Sequence, residues 1–141
     1  RIRMGEQMTK ILWVVAGALV DKAGRVLLAQ RPAGKNLAGF WEFPGGKIEQ
    51  GETPREALAR ELFEELGIAV APETMIPCSF VSYDYPAFHL VMPLFVCRAW
   101  SGEITGKEGQ SVAWTDWSDD LPLAPADTDL AKVLRIFLKN F

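Results

Sequence analysis

Residues 46–68, GKIEQGETPREALARELFEELGI, constrain this chain more than any other stretch, because they specify both ends of a helix and the charge it carries. Thr53 is a good N-cap, Pro54 suits the first helical position, and Glu56, three residues after Thr53, completes a capping box. Gly67 supplies the left-handed residue that stops a helix. Together these signals predict a helix over residues 54–66. At about 100° per residue, Leu58, Ala59, Leu62, Phe63 and Leu66 form one apolar arc, with Glu61, Glu64 and Glu65 on the arc beside it. Like-charged neighbours weaken a helix, so a purely structural helix has no reason to gather them. A solvated acidic face partnered by Arg55 and Arg60 accounts for three glutamates alone. A site for a hard divalent cation accounts for them together with the glycine-bearing loop, since such ions take oxygen ligands.

The chain has 141 residues, enough for one domain with a sizeable core, and its 49% hydrophobic and 23% charged residues are ordinary for a globular protein. A net charge of −3 without a basic block argues against a nucleic-acid polymer as partner. A small phosphorylated substrate held through metal ions remains compatible with that charge. No apolar run reaches the roughly 18 residues of a membrane span, so no membrane partner is expected. Cys78 and Cys97 lie in apolar stretches with no metal-like spacing to His89, the lone histidine, and read as small buried hydrophobes. The expected location is the cytoplasm. Residues 8–141 read as a single domain, with residues 1–7 an extension or added remnant and Met4 or Met8 as candidate initiators.

Along the chain, residues 11–20 form a nearly continuous apolar run, the pattern of a strand buried on both faces. Residues 21–24 make a tight connection, and residues 25–30 return as a second strand in a hairpin. Residues 31–39 read as a surface loop, and residues 40–43 as a short aromatic strand halted by Pro44-Gly45-Gly46. After the helix, residues 75–84 and 89–100 are strand-like runs joined by a turn at residues 85–87. Residues 102–109 form a glycine-bearing charged loop, residues 111–115 a short strand, and residues 121–127 an extended proline-rich segment. Asp127 or Thr128 is a candidate cap for a final helix to about Lys139, with Leu130, Val133, Leu134, Phe137 and Leu138 on one stripe. His89 reads as a satisfied strand histidine rather than a ligand. The fold class is α/β, with a mixed β-sheet between helices.

Gly46, Glu52 and the run Arg60-Glu61-Leu62-Phe63-Glu64-Glu65-Leu66-Gly67-Ile68 resemble the Nudix box at every fixed position. The resemblance implies an α/β/α sandwich and a metal-dependent hydrolase of nucleoside diphosphates linked to another group, using Mg²⁺ with Mn²⁺ as a substitute. It assigns Glu61, Glu64 and Glu65 as metal ligands, with the backbone carbonyl of Gly45 beside them. Either Glu61 or a glutamate outside the box serves as general base in family members. Arg60 is expected to orient a box carboxylate, and Glu52 to hold the loop or reach outer-shell water.

Beyond the box, Gly106-Lys107-Glu108-Gly109-Gln110 resembles a loop of the MutT-type members, whose glutamate approaches the metal cluster. Glu108 is therefore a candidate ligand or base, where composition alone offers only a solvated turn. Leu28-Ala29-Gln30-Arg31 resembles the strand end where the family places an arginine near substrate phosphate, a task suited to a guanidinium. Trp41-Glu42-Phe43-Pro44-Gly45-Gly46 resembles the strand lining the nucleotide pocket; plain core packing is the alternative for Trp41 and Phe43, and strand alternation turns one of Glu42's neighbours to the core. Pro122-Leu123-Ala124-Pro125-Ala126-Asp127 resembles the segment carrying the base-reading residue, Asn in the best-known member and Asp here. An ionised Asp only accepts hydrogen bonds, from guanine N1–H and amino groups or from the cytosine amino group. A helix-capping role for Asp127 is the plainer alternative. Asn36 and Phe88 receive no role.

The expected activity is nucleoside triphosphate pyrophosphohydrolysis by a monomer or weak dimer, with 8-oxo-dGTP first and a pyrimidine triphosphate (CTP, dCTP or 5-methyl-dCTP) second. A non-catalytic nucleotide sensor is the alternative of another class.

Overall fold

The computed structural model describes residues 10–140, so the readings of residues 1–7 and of Met4 and Met8 lie outside the described residues. Strand β1 (Ile11–Leu19) pairs antiparallel with β4 (Gly45–Lys47) on one side and parallel with β6 (Phe88–Cys97) on the other. The long strand β5 (Ile76–Tyr85) closes this mixed sheet in the order β4-β1-β6-β5. A second, antiparallel sheet carries β2 (Val26–Gln30) between β3 (Trp41–Glu42) and β7 (Val112–Thr115). The expected β1–β2 hairpin is reduced to one bridge, Val20 to Val26, because β2 gives its edges to β3 and β7 instead. Asp21 holds the connection by accepting from the backbone N–H groups of Ala23 and Arg25.

Period-two alternation explains why β1 looked apolar throughout. Val15 and Leu19 face helix α1 (Pro54–Leu66) in one core, and Ala16 and Ala18 join the core beneath helix α2 (Pro125–Lys139). The helices cover opposite sides, giving the α/β/α sandwich. Gly17 sits where a Cβ would lie 3.2 Å from Leu58 Cδ1, so its smallness lets α1 approach β1. Leu58, Leu62 and Leu66 are fully buried, each worth about 1.5–3 kcal/mol of apolar transfer. Phe63 departs from the expected arc and is 65% exposed, since the sheet meets the side of the helix centred on Leu58 and Leu62.

Other boundaries moved for local reasons. The aromatic strand shrinks to Trp41–Glu42, with Phe43 buried in the core. Tyr85 belongs to β5 rather than to a turn, leaving only Pro86 and Ala87 between the long strands. His89 is satisfied, as expected: its Nδ1 meets Asp84 and its Nε2 meets Ser82, both at 2.5 Å across the hairpin. Among the described residues, no helix is long and apolar enough to cross a membrane.

Candidate active site

Helix α1 forms as its sequence dictates. Thr53 Oγ1 accepts from the Glu56 N–H, Glu56 accepts from the Thr53 N–H, and Gly67 ends the helix at φ 74°. Its C-terminal carbonyls then recruit a distant loop. The Glu65 carbonyl accepts from the Lys107 N–H at 2.8 Å and from Gln110 Nε2 at 3.2 Å, and the Leu66 carbonyl accepts from the Thr105 N–H. Orphan carbonyls of a helix end are thereby satisfied, and Glu108 is carried beside the helix. Gln110 Oε1 accepts in turn from the Glu108 N–H. Sequence reading gave Gln110 no role; its place two residues after Glu108 is the signal that could have marked it as the loop's anchor.

The glycine strand meets the same helix. Gly45 donates its N–H to Glu65 Oε2 at 3.1 Å, which ties the strand to the helix. A Cβ on Gly46 would lie 2.3 Å from the Glu61 carboxyl carbon, and one on Gly45 would lie 2.0 Å from the Val15 carbonyl oxygen. Glycine at both positions therefore lets the strand slide under the carboxylates and onto β1. Pro44 lines neither pocket described below; it is buried, and its carbonyl accepts from the Gly17 N–H.

Arg60 organises the outer carboxylates. Its Nε and Nη2 meet the two oxygens of Glu52 at 2.7 and 2.9 Å, a bidentate pair, while Nη1 reaches Glu61 and Glu64, each at 3.2 Å. These hydrogen bonds hold the Glu52 carboxyl down at about 2. The Arg60 geometry is that of an orienting partner. Glu64 stands on the outer side of this pair, half exposed and outside the pocket that Glu61 and Glu65 share.

That pocket, about 450 Å³, brings together Glu42, Glu61, Glu65 and Glu108 with Arg31 and Lys35. Burial pushes Glu65 up to about 8, and the charges of Glu61, Glu108 and Glu42 push the same way. Burial also raises Glu61 and Glu42, against Arg60 and Arg31 respectively. Acids outnumber cations here, and the donors are oxygens, which fits a hard divalent cation; a bound cation inverts such repulsion. Among the described residues, no three acid, His or Cys side chains already stand close enough to enclose an ion.

A second pocket of about 340 Å³ adjoins the first, and Arg31, Glu42 and Gly45 line both. Its walls are Leu12, Val14, Leu90 and Met92 with Tyr85 and Phe88, and Asp127 is among its lining residues. Phe43 and the unassigned Asn36 and Phe88 also line it. Arg31 is fixed between them, donating to the Asn36 carbonyl at 2.7 Å and pairing with Glu42 at 3.4 Å. Helix α2 starts at Pro125 behind Ala124, so Asp127 is not its cap. Instead its carboxylate accepts from the Phe43 N–H at 2.9 Å while 5% exposed, and burial pushes it up to about 7.

A model of the NUDIX domain matches residues 11–137. Over 100 residues the chain is 45% identical to an 8-oxo-dGTP diphosphatase of Proteus vulgaris, covering 71% of this chain and 88% of that protein. Over 128 residues it is 39% identical to a CTP pyrophosphohydrolase of Escherichia coli strain K12, covering 86% and 89%. The solution structure of the E. coli ORF135 protein superposes with a TM-score of 0.78 at 33% identity, covering 92% of this chain and 91% of that one. The box residues, the sandwich and these matches agree: the chain belongs to the Nudix family of hydrolases, which act on phosphoanhydride bonds.

Proposed function

We propose that this single domain is a Mg²⁺-dependent nucleoside triphosphate pyrophosphohydrolase, converting a triphosphate and water to a monophosphate and pyrophosphate. Its preferred substrate is 8-oxo-dGTP, and its role is to clear oxidised nucleotides in the cytoplasm. The observation that carries this reading is the pair of adjoining pockets, one largely apolar with Asp127 in its lining, the other lined with carboxylates, sharing Arg31, Glu42 and Gly45.

In this reading the base lies against Tyr85 and Phe88, and Asp127 accepts from its N–H groups. Arg31 meets the phosphates with its paired donors, and Glu42 holds Arg31 in place. Phe43 and Pro44 fix the strand that separates the pockets. Glu61, Glu65 and Glu108, with Gly45, would hold the metal, and Glu64 would join them from the rim. A bound divalent cation supplies charge on the phosphoryl oxygens and lowers the pKa of water. Glu108 or Glu61 takes the water's proton, and Arg60, Glu52 and Gly46 keep Glu61 at its height against the strand.

A pyrimidine triphosphate is the second reading. Asp127 can equally accept from a cytosine amino group, and the CTP pyrophosphohydrolase relative is 39% identical across most of both chains. Incubation of 8-oxo-dGTP, dGTP and CTP with the protein and Mg²⁺, followed by product separation, tests the reaction. Monophosphate and pyrophosphate, abolished by EDTA, are expected. Release of orthophosphate, or turnover that survives EDTA, overturns it.

A further inference from the structure

We infer that Tyr85 is a positioning residue whose hydroxyl sets the first turn of α2 and so the seat of Asp127 in the base pocket. The inference rests on the proposed reading of that pocket as the base site.

Helix α2 begins without a side-chain cap of its own, since Ala124 supplies none and Pro125 has no N–H. The Ala126 N–H is therefore an orphan donor at a buried position, and its partner comes from 41 residues away: it donates to the Tyr85 hydroxyl oxygen at 3.2 Å. Asp127 is the next residue, and its own anchor is the Phe43 N–H. One chain of contacts thus runs from the tip of the β5–β6 hairpin through the start of α2 to the strand that continues to Gly45. Gly45 in turn holds Glu65.

The hydroxyl is placed by more than its hydrogen bond. The Tyr85 ring sits in an aromatic row, 4.8 Å from the centroid of Tyr83 and 5.3 Å from that of Phe88. Tyr85 is also the last residue of β5, ahead of a two-residue turn. Strand pairing fixes the backbone and the row fixes the ring, so the helix start meets a fixed hydroxyl in addition to its own anchor, the Ala124 N–H on the Trp41 carbonyl at 2.9 Å. The ring walls the pocket whether or not the hydroxyl is present, so the hydroxyl's role separates from the wall's.

Tyr85→Phe keeps the wall and removes the acceptor. With one hydrogen bond to the helix start lost, the ratio of kcat/KM between the preferred triphosphate and its nearest competitor falls roughly three- to tenfold. The change comes mostly through KM, because the carboxylate pocket is left in place. In an Asp127→Ala background, which has no side-chain acceptor left to seat, the same Tyr85→Phe change has no further effect on the ratio. The test measures both ratios in wild type, the two single variants and the double variant. A reduced ratio in Tyr85→Phe that disappears in the double variant supports the inference. An unchanged ratio in Tyr85→Phe, even with a lowered melting temperature, assigns the hydroxyl a purely structural role and overturns it. A wild-type enzyme with turnover but no base preference overturns both this inference and the reading of the pocket.

Discussion

Asp127→Asn tests the electrostatics of the pocket proposed to hold the base without touching the carboxylate pocket. Asp127 is 5% exposed, with the Phe43 N–H as its hydrogen-bond donor, and Glu42 opposes its charge while Arg31 favours it. Burial dominates, and the carboxyl is pushed from 3.8 up to about 7. The folded chain therefore holds this proton more tightly than the unfolded chain. Between about pH 4 and pH 7 the unfolded state binds fewer protons, so this group's contribution to stability falls as pH rises and levels off above about 7. At about 1.4 kcal/mol per pH unit, the full window amounts to roughly 4 kcal/mol. Asn keeps a carbonyl that can accept from the Phe43 N–H and has no charge to bury. The variant is expected to match wild type near pH 4 and to exceed it by up to roughly 4 kcal/mol at pH 8, about ten degrees or more in Tm. Urea unfolding of both chains in EDTA at half-unit steps from pH 4 to pH 8 measures the difference, because other titrating groups are common to both. Parallel pH profiles, or a variant less stable at pH 8, would refute the argument that Asp127 is held against its own charge.

Two further outcomes follow from the carboxylate pocket. Glu65→Gln retains an oxygen for the Gly45 N–H and removes a carboxylate that burial disfavours, so its circular dichroism should match wild type and its melting temperature in EDTA should be no lower, while kcat falls at least about a hundredfold; full turnover would remove Glu65 from the proposed metal-holding set. Gly46→Ala places a methyl 2.3 Å from the Glu61 carboxyl carbon, so kcat should fall by roughly tenfold or more with the fold intact, and unchanged kcat in a pyrophosphate-release assay would mean Glu61 need not lie against the strand.

What could be read from the sequence was what short-range chemistry decides. Thr53, Glu56 and Gly67 fixed α1 residue for residue, because capping acts within one turn of the chain. The two-sided burial of β1 was legible only for its second half, residues 15–19, where no polar residue interrupts; Ile11 and Trp13 at its start are half exposed, which an unbroken apolar run cannot signal. The location of Phe63 was not, since periodicity gives an arc but tertiary packing chooses which part of it is covered. Asp127 looked like a cap because an acid near a helix start often is one. Its actual partner is a backbone amide 84 residues away. The meeting of Glu108 with Glu65 was expected from resemblance alone, and its physical cause is the need of the Glu65 and Leu66 carbonyls for donors. Tyr85 carried no readable signal, because its partner, the Ala126 N–H, is a consequence of where α2 begins.

In the proposed function, one pocket reads an oxidised purine while its neighbour cleaves the phosphate chain. Measuring kcat/KM for 8-oxo-dGTP, dGTP and 5-methyl-dCTP side by side with Mg²⁺ tests it most directly. A preference for 8-oxo-dGTP over dGTP of about 10³ or more, roughly 4 kcal/mol of discrimination, is the predicted result. A flat profile, or one led by the pyrimidine, would contradict it.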